Sequence, residues 1–311
     1  MRAVPAYETG AVNDTKNNLG GIAMKVLVLG GTRFAGVHLV NSLLEKGHDV
    51  TVANRGKTQD NFGSVVKRKI VERRNADSLK SAFGGESYDA VVDNIAFSSN
   101  DIRILLDAVK TEKYVMTSTV SVYGSFHMDM REDEVDTTTT PLKWCEYEDF
   151  GYDEVKRQAE AAQFQAYSQI PSVAVRFPWI FGTDDYTKRL FFYVEHIIKG
   201  QAMNIDNLDV RLSFIHSREA GDFLSWCTES GILGAVNACS NGTISLAEII
   251  EYTEKRAGKK AIICSNGQPG TLNHVPSFSI DTTKAQKLGY KFKNIEDWVY
   301  PTIDYFVMNC E

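Results

Sequence analysis

From residue 24 onward, short apolar runs alternate with stretches of helical period. "KVLVLG" (25–30) is a continuous apolar run closed by glycine, as in a strand buried on both faces. "FAGVHLVNSLLEKG" (34–47) then spaces its apolar residues for one face of a helix and ends at Gly47. The alternation continues with strands "HDVTVAN" (48–54), "KRKIVE" (67–72), "YDAVVDN" (88–94), "KYVMTSTV" (113–120) and "SVAVRF" (172–177). Helices "SNDIRILLDAVK" (99–110) and "DEVKRQAEAAQFQAYS" (153–168) fall between them. Val- and Ile-rich strands separated by helices predict a parallel sheet with both faces covered. After Gly182 the texture changes. "DYTKRLFFYVEHIIKG" (185–200), "HSREAGDFLSWCTES" (216–230) and "LAEIIEYTEKRAG" (246–258) read as helices, with short strands between. The expected fold class is α/β: a doubly wound parallel sheet over 24–182 with a smaller α/β C-terminal substrate lobe over 183–311, partly interleaved with the sheet.

The first strand runs into "GGTRFAG" (30–36). Gly30 suits a tight turn, and Gly31 and Gly36 remove side chains where backbone must meet a pyrophosphate or helix must meet strand. A helix starting near Phe34 would aim its N–H groups at the phosphates. This is the phosphate loop of a Rossmann sheet, completed by Thr32, with Arg33 where a third glycine is usual. A strand–helix corner that binds nothing would need the same flexible residues, but the place of the motif at the head of an alternating α/β pattern favours binding. At the end of the second strand, "VANRGK" puts Asn54 where an NAD site carries a carboxylate for the ribose 2′-hydroxyl, and adds Arg55 and Lys57. Cations without a carboxylate suit a 2′-phosphate, and Arg33 could join them, so NADP is favoured over NAD. A solvated turn would carry the same charges.

"GYDEVKRQAE" sets Tyr152 and Lys156 four residues apart, on one face of a helix. A nearby ammonium favours phenolate and would lower the tyrosine pKa, making Tyr152 a proton donor or acceptor at a carbonyl or alcohol centre. "TSTVSVYG" (117–124) places hydroxyls at the C-terminal end of the fifth strand, where open sheets take ligands. A strand end satisfying its own backbone is the plainer explanation of those hydroxyls.

Composition narrows the field. Of 311 residues, 43% are hydrophobic and 24% charged, enough for a packed core, and the net charge of −6 offers nucleic acid or an anionic membrane nothing to bind. Five scattered cysteines without a CxxC pair argue against zinc or a disulfide framework and fit reduced thiols in the cytoplasm; no metal site is expected. Residues 1–23 lack the apolar core of a signal peptide and are expected to form a mobile tail. No apolar run approaches membrane-spanning length.

The glycine loop, "TSTVSVYG" and Tyr152/Lys156, in that order, resemble the extended short-chain dehydrogenase/reductase superfamily, the NAD(P)-dependent epimerase/dehydratase group. "VRFPWIFG" (175–182), "SFIHSREAGDF" (213–223) and "SIDTTKAQKLGY" (279–290) extend the resemblance from Met24 to the C-terminus. It implies that Tyr152 is the acid/base, that Lys156 binds the nicotinamide ribose and depresses the tyrosine pKa, and that Thr119 polarises the substrate oxygen. Gly30, Gly31 and Gly36 would form the phosphate loop, and Ala96 would lie near the cofactor. Four departures matter. Arg33 marks an atypical branch that includes chloroplast stem-loop RNA-binding proteins. Val120 and Ser121 replace the Asp-Glu pair of the dehydratases, which disfavours elimination of water. Trp179 falls where a substrate-diphosphate asparagine is usual, although Arg211 lies near the place of a diphosphate-binding arginine. The segment between Ala96 and Lys113 is short, leaving a homodimer plausible. Tyr186, Lys188 and Arg189 would close over an anionic substrate or form a solvated helix start, and His216 reads as a structural hydrogen-bonding residue.

The expectation is therefore an NAD(P)-dependent oxidoreductase or epimerase acting on a sugar, sugar nucleotide or related small molecule. RNA binding, or dinucleotide sensing without turnover, is the alternative on the same fold.

Overall fold

The structure, a computed structural model, describes residues 22–310. Apart from Ile22 and Ala23, the expected tail lies outside the described residues. Strands β1 (Lys25–Leu29), β2 (Asp49–Asn54), β3 (Lys67–Ile70), β4 (Ala90–Asp93), β5 (Tyr114–Thr119) and β6 (Ser172–Phe177) coincide with the six runs. A seventh strand, β7 (Gly234–Asn237), lies outside the sequence reading because "GAVN" is too short to show a pattern. The order is β3-β2-β1-β4-β5-β6-β7 and every neighbouring pair is parallel. Central residues such as Val26, Val28, Val52 and Val92 are fully buried, whereas β3 is a mostly exposed edge bearing Lys67, Arg68 and Lys69, charges that discourage further pairing. The strand order reverses between β1 and β4, which opens a crevice beyond their carboxyl ends.

Helices cover both faces. On one side lie α1 (Ala35–Glu45) and α6 (Ser217–Glu229), with Leu39, Phe223 and Leu224 in a single cluster. On the other lie α2 (Ala76–Phe83), α3 (Ser99–Leu106) and α4 (Tyr152–Ala161), burying Leu79, Ile102 and Ala159. Both α6 and β7 come from beyond residue 182, so the second half of the chain completes the first layer. Gly221 permits this closure: a Cβ there would stand 2.5 Å from Leu39 N and 2.7 Å from Ala35 O, across the α1–α6 crossing. A separate core gathers α5 (Arg189–Lys199), α7 (Leu246–Ala257) and, beyond a short α8 (Thr283–Lys287), α9 (Glu296–Asn309), around Phe181, Phe214 and Ile303.

Three helices differ from expectation. The helix expected over 99–110 stops at Leu106, and Lys110 already lies in a short strand. The helix expected from 185 begins only at Arg189, because Asp185 Oδ1 accepts hydrogen bonds from Thr187 N (2.8 Å) and Thr187 Oγ1 (2.5 Å), and Lys188 turns left-handed at φ 56°. The helix expected over 153–168 is regular to Ala161 and continues as a wider π turn over Ala162–Ala166. No helix among the described residues is long and apolar enough to cross a membrane.

A buried ion pair fixes α4. Glu160 on α4 and Arg176 on β6 are both fully buried. Glu160 Oε2 accepts from Arg176 Nη2 (2.8 Å) and Thr137 Oγ1 (3.0 Å), and Oε1 from Arg176 Nε (3.1 Å) and Ser118 Oγ (2.5 Å). The remaining guanidinium N–H groups reach Glu132 O and Val135 O. With each partner supplied, the pair holds α4 in register with the strand ends instead of leaving bare charge in the core.

Candidate functional site

A groove of about 820 Å³ opens along the carboxyl ends of β1, β2, β4 and β5. Gly30, Thr32, Arg33, Phe34 and Gly36 line it from the loop, and Asn54, Arg55 and Lys57 from the end of β2. Gly30 has φ 79°, and a Cβ on Gly36 would stand 2.1 Å from Gly30 O, so neither position accepts a side chain without moving backbone. Of the two parts expected of Gly31, the geometry fits the meeting of helix and strand. It does not line the groove; a Cβ there would meet Val40 (2.9 Å) and Val28 (3.1 Å), so it serves the packing of α1 on the sheet. The first turn of α1 has neither a capping side chain nor an acidic residue, and its Gly36 N and Val37 N donate to Arg33 O (3.0 Å) and Phe34 O (2.9 Å).

The cations of the groove divide into two sets. Arg73 is buried and held by Asp93 Oδ1 (2.8 Å), Asp93 Oδ2 (2.7 Å) and Asp101 Oδ1 (3.2 Å), while Arg74 pairs with Glu148 (3.3 Å). Arg33, Arg55 and Lys57 have no carboxylate partner among the described residues. Asn54 does not stand in for the missing acid, since its Oδ1 accepts from Gly56 N at 2.6 Å and shapes the turn.

Several lining residues escaped the sequence reading: Arg73, Arg74, Asn94, Ile95 and Phe97. Asn94 and Ile95 follow β4, where the rule about carboxyl ends of strands would have found them. Thr117 is one of the expected hydroxyls, and Tyr186 one of the three residues expected over an anionic substrate or in a solvated helix start. Tyr186 reaches the groove from the second half of the chain and meets Phe34 edge-on, with ring centroids 6.0 Å apart. Its loop is fastened through Asp184, whose carboxylate contacts His38 Nε2 (3.0 Å) and accepts from Ser217 Oγ (2.6 Å).

Beside Phe97 and Thr117, at the other end of the groove, stand the residues expected to be reactive, which do not themselves line it. Tyr152 opens α4, 43% exposed, and Lys156 lies one turn later, 3% exposed. Lys156 Nζ donates to Ala96 O (2.8 Å) and Thr117 O (2.6 Å), and burial lowers its pKa to about 8. Ala96 is itself buried and contributes its carbonyl, whereas Ile95 and Phe97 line the groove in its place. Thr117 Oγ1 donates to Asn94 Oδ1 at 2.7 Å, tying β5 to the end of β4. Thr119 Oγ1 donates to Ser121 Oγ and accepts from Ser121 N, both at 3.2 Å, capping the turn that follows β5.

The electrostatics correct one expectation. Burial raises the Tyr152 pKa above its ordinary value; the Thr119 hydroxyl and Arg189 lower it, and Tyr147 raises it further. Lys156 does not produce the expected lowering, because its ammonium is turned inward onto two carbonyls. Tyr152 is accordingly a neutral phenol, suited first to giving a proton. Arg211 is engaged as well: it donates to Thr243 Oγ1 and Thr243 O, each at 3.0 Å, and pairs with Glu248 at 3.2 Å. His216 caps α6, accepting from Arg218 N at 3.2 Å, and burial lowers its pKa to about 4, a structural part.

Comparison with known proteins agrees with this architecture. Residues 26–238 match the NAD dependent epimerase/dehydratase family. The chain is 33% identical over 113 residues to the chloroplast stem-loop binding protein of 41 kDa b from Arabidopsis thaliana, covering 32% of this chain and 30% of that protein. It is 29% identical over 120 residues to 2'-dehydrokanamycin reductase from Streptomyces kanamyceticus, covering 38% and 31%. The chain thus spans about a third of the length of each of these relatives. Among solved structures, UDP-glucose 4-epimerase from Thermotoga maritima superposes with a TM-score of 0.74 at 18% identity, covering 93% of this chain and 100% of that one. UDP-glucuronic acid 4-epimerase from Bacillus cereus, in complex with NAD, gives 0.70 at 19% identity, covering 91% and 96%. At such identities the likeness establishes the fold.

Proposed function

The chain belongs to the NAD dependent epimerase/dehydratase family, and we propose that it is a nicotinamide-dinucleotide-dependent reductase or epimerase working at a carbonyl or alcohol carbon of a sugar, sugar nucleotide or related small molecule. One observation carries the reading: the groove that begins at an uncapped helix N-terminus and side-chain-free glycines leads to Thr117 and Phe97, beside Tyr152, Lys156 and Thr119. The first end fits a pyrophosphate, and a bound dinucleotide would supply or accept hydride at C4 of its nicotinamide.

The chain's own residues manage the proton and the geometry. Tyr152 gives its phenolic proton to the oxygen of a ketone, or takes one from an alcohol in the reverse direction. Thr119 offers a hydroxyl to the same oxygen. Lys156, protonated below about pH 8, locks the ends of β4 and β5 through Ala96 O and Thr117 O and would offer its positive charge to the ribose of a bound nicotinamide. Val120 and Ser121 offer no acid or base for removing water, which speaks against dehydration.

For the cofactor we favour NADP, although the family's description and the Bacillus cereus complex both name NAD. Arg33, Arg55 and Lys57 stand without carboxylates, and Asn54 Oδ1 is already bonded to Gly56 N. The Arabidopsis thaliana relative is a reason to test RNA, against which the net charge of −6 and the preserved Thr119/Tyr152/Lys156 set both count.

The deciding experiment titrates NADP(H) and NAD(H) and follows absorbance against sugar nucleotides, free sugars and small ketones, with a stem-loop RNA gel shift in parallel. Turnover by wild type and none by Tyr152→Phe is the expected result. Equal turnover by both sinks the acid/base role. Failure to bind either cofactor, with a shifted RNA, replaces the enzyme reading with the RNA one.

A further inference from the structure

The segment that leads into α4 carries three exposed aromatic rings: Trp144, Tyr147 and Phe150. Two are covered by cations on the outer surface. The Arg103 guanidinium lies 4.8 Å from the Trp144 ring centre and Lys143 Nζ lies 5.3 Å from Phe150. Tyr147 alone turns inward, onto Phe97, at 5.3 Å between ring centroids and 77° between planes. Phe97 lines the cofactor groove, has Tyr152 as its other aromatic neighbour at 6.5 Å, and has Lys156 Nζ 5.6 Å from its centre. Tyr147 and Tyr152 therefore flank one ring at the reactive end of the groove, and Tyr147 keeps 39% of its surface open.

Its position is fixed by contacts with the start of α3. Cys145 N donates to Ser99 Oγ (2.8 Å), Ser99 Oγ donates to Lys143 O (2.7 Å), and Asn100 Nδ2 donates to Glu146 Oε1 (2.6 Å). Asp149 Oδ2 accepts from Glu146 N at 2.8 Å and closes the turn around Tyr147. A ring held this firmly costs a ligand little to order.

From Cys145 to Glu154 the chain carries five carboxylates and no cation. Arg74 pairs with Glu148 and Arg157 with Asp153 and Glu154, which leaves Glu146 and Asp149, on either side of Tyr147, without a cation among the described residues. Beyond Thr119 and its turn, the second half of the chain offers more rings: Trp179 lies 6.3 Å from Phe126 and 5.7 Å from Phe278. Trp179 follows Phe177, the register partner of Thr119, so this wall starts beside the reactive hydroxyl. A doubly charged diphosphate brought against Tyr147 would meet like charge, whereas the C–H face of a saturated ring would meet an aromatic one.

We propose that Tyr147 is a specificity-determining residue that receives the face of an unphosphorylated, neutral or amino-substituted carbohydrate ring beside Tyr152. This rests on the proposed NAD(P)-dependent activity and names the substrate class for that site. Stacking on Tyr147 contributes alike to ground state and transition state, so its loss appears in KM.

The test uses the full chain loaded with NADP, and measures NADP reduction with methyl glucopyranoside, methyl 2-amino-2-deoxyglucopyranoside and UDP-glucose. At least one unphosphorylated glycoside is expected to be turned over with higher kcat/KM than UDP-glucose. Tyr147→Ala should raise its KM about tenfold with kcat within twofold, and Tyr147→Phe should behave as wild type. A preference for UDP-glucose, no turnover of either glycoside, or an unchanged KM in Tyr147→Ala overturns the assignment. A loss of NADP affinity in Tyr147→Ala also overturns it, by making the residue a support for Phe97. Tyr152→Phe separates the two readings: if it abolishes turnover while Tyr147→Ala leaves KM unchanged, only the specificity assignment falls.

Discussion

The two ends of the crevice treat charge in opposite ways. At the glycine-loop end, Arg33, Arg55 and Lys57 stand without carboxylates among the described residues, beside an α1 terminus that has no capping side chain. At the Tyr152 end, Lys156 is turned onto backbone carbonyls and Arg211 is bound by Thr243 and Glu248. Around the Tyr152 phenol stand the Phe97 and Tyr147 rings, the Thr119 hydroxyl and the Arg189 charge. An unpaired cation is poised to receive an anion, while a paired one has its partner and chiefly holds structure. The difference suits one end to a phosphorylated cofactor and the other to a ring of little or no negative charge.

The comparison can be broken, and the largest effect comes first. Tyr152→Phe is expected to lower kcat by roughly 10³-fold while the NADPH dissociation constant, followed by fluorescence, stays within threefold. A parallel loss of cofactor affinity would mean that the two ends are not separable. Next, Arg33→Ala and Arg55→Ala should each weaken NADPH binding by about tenfold, the scale of one charge-assisted contact, and NADH by less than twofold. Equal losses for both cofactors would remove the 2′-phosphate from the account.

The third prediction concerns the helix shared by both halves. His216 caps α6 as a neutral ring, with a folded-state pKa of about 4, below its ordinary value near 6.5. The unfolded chain thus binds more protons between those values. Stability from this group is complete above about pH 6.5 and falls as the pH drops toward 4, by on the order of 2 kcal/mol. Urea titrations from pH 7 to 4.5 should show the decline, and His216→Asn, which retains a capping oxygen, should flatten it. An unchanged pH slope in the variant would place the titration elsewhere. The smallest effect is expected from Arg211→Gln: KM for any accepted substrate should move by less than twofold. A tenfold rise would show that Arg211 leaves Glu248 to meet an anion.

The sequence was most legible where chemistry depends on near neighbours. The glycine turn, the i,i+4 pair of Tyr152 and Lys156 and the six apolar runs are local, and each stands in the structure where its pattern put it. The failures share a cause. Gly31 had to be left with two parts because spacing alone cannot distinguish a glycine facing a ligand from one facing Val28 and Val40. Lys156 was expected to act on Tyr152, but two carbonyls brought by β4 and β5 take its ammonium. Tyr186 against Phe34 joins residues far apart in the chain, a contact with no trace in either local stretch. β7 escaped notice because a four-residue strand at the sheet edge carries too few positions to show a period.

That last strand has a consequence for how the protein is made. The parallel pairing of β7 with β6 joins positions about 60 residues apart in the chain, and the α1–α6 crossing at Gly221 joins positions more than 180 apart. A nascent chain that has reached only residue 182 has the sequence of six strands, yet β6 lacks its neighbour and the α1 face lacks its cover. Such a partial product exposes a strand edge and apolar surface together, the condition under which chains aggregate. Folding of the glycine-loop end is expected to be completed only after synthesis has passed residue 237. The most recognisable half of the molecule is not an independent one.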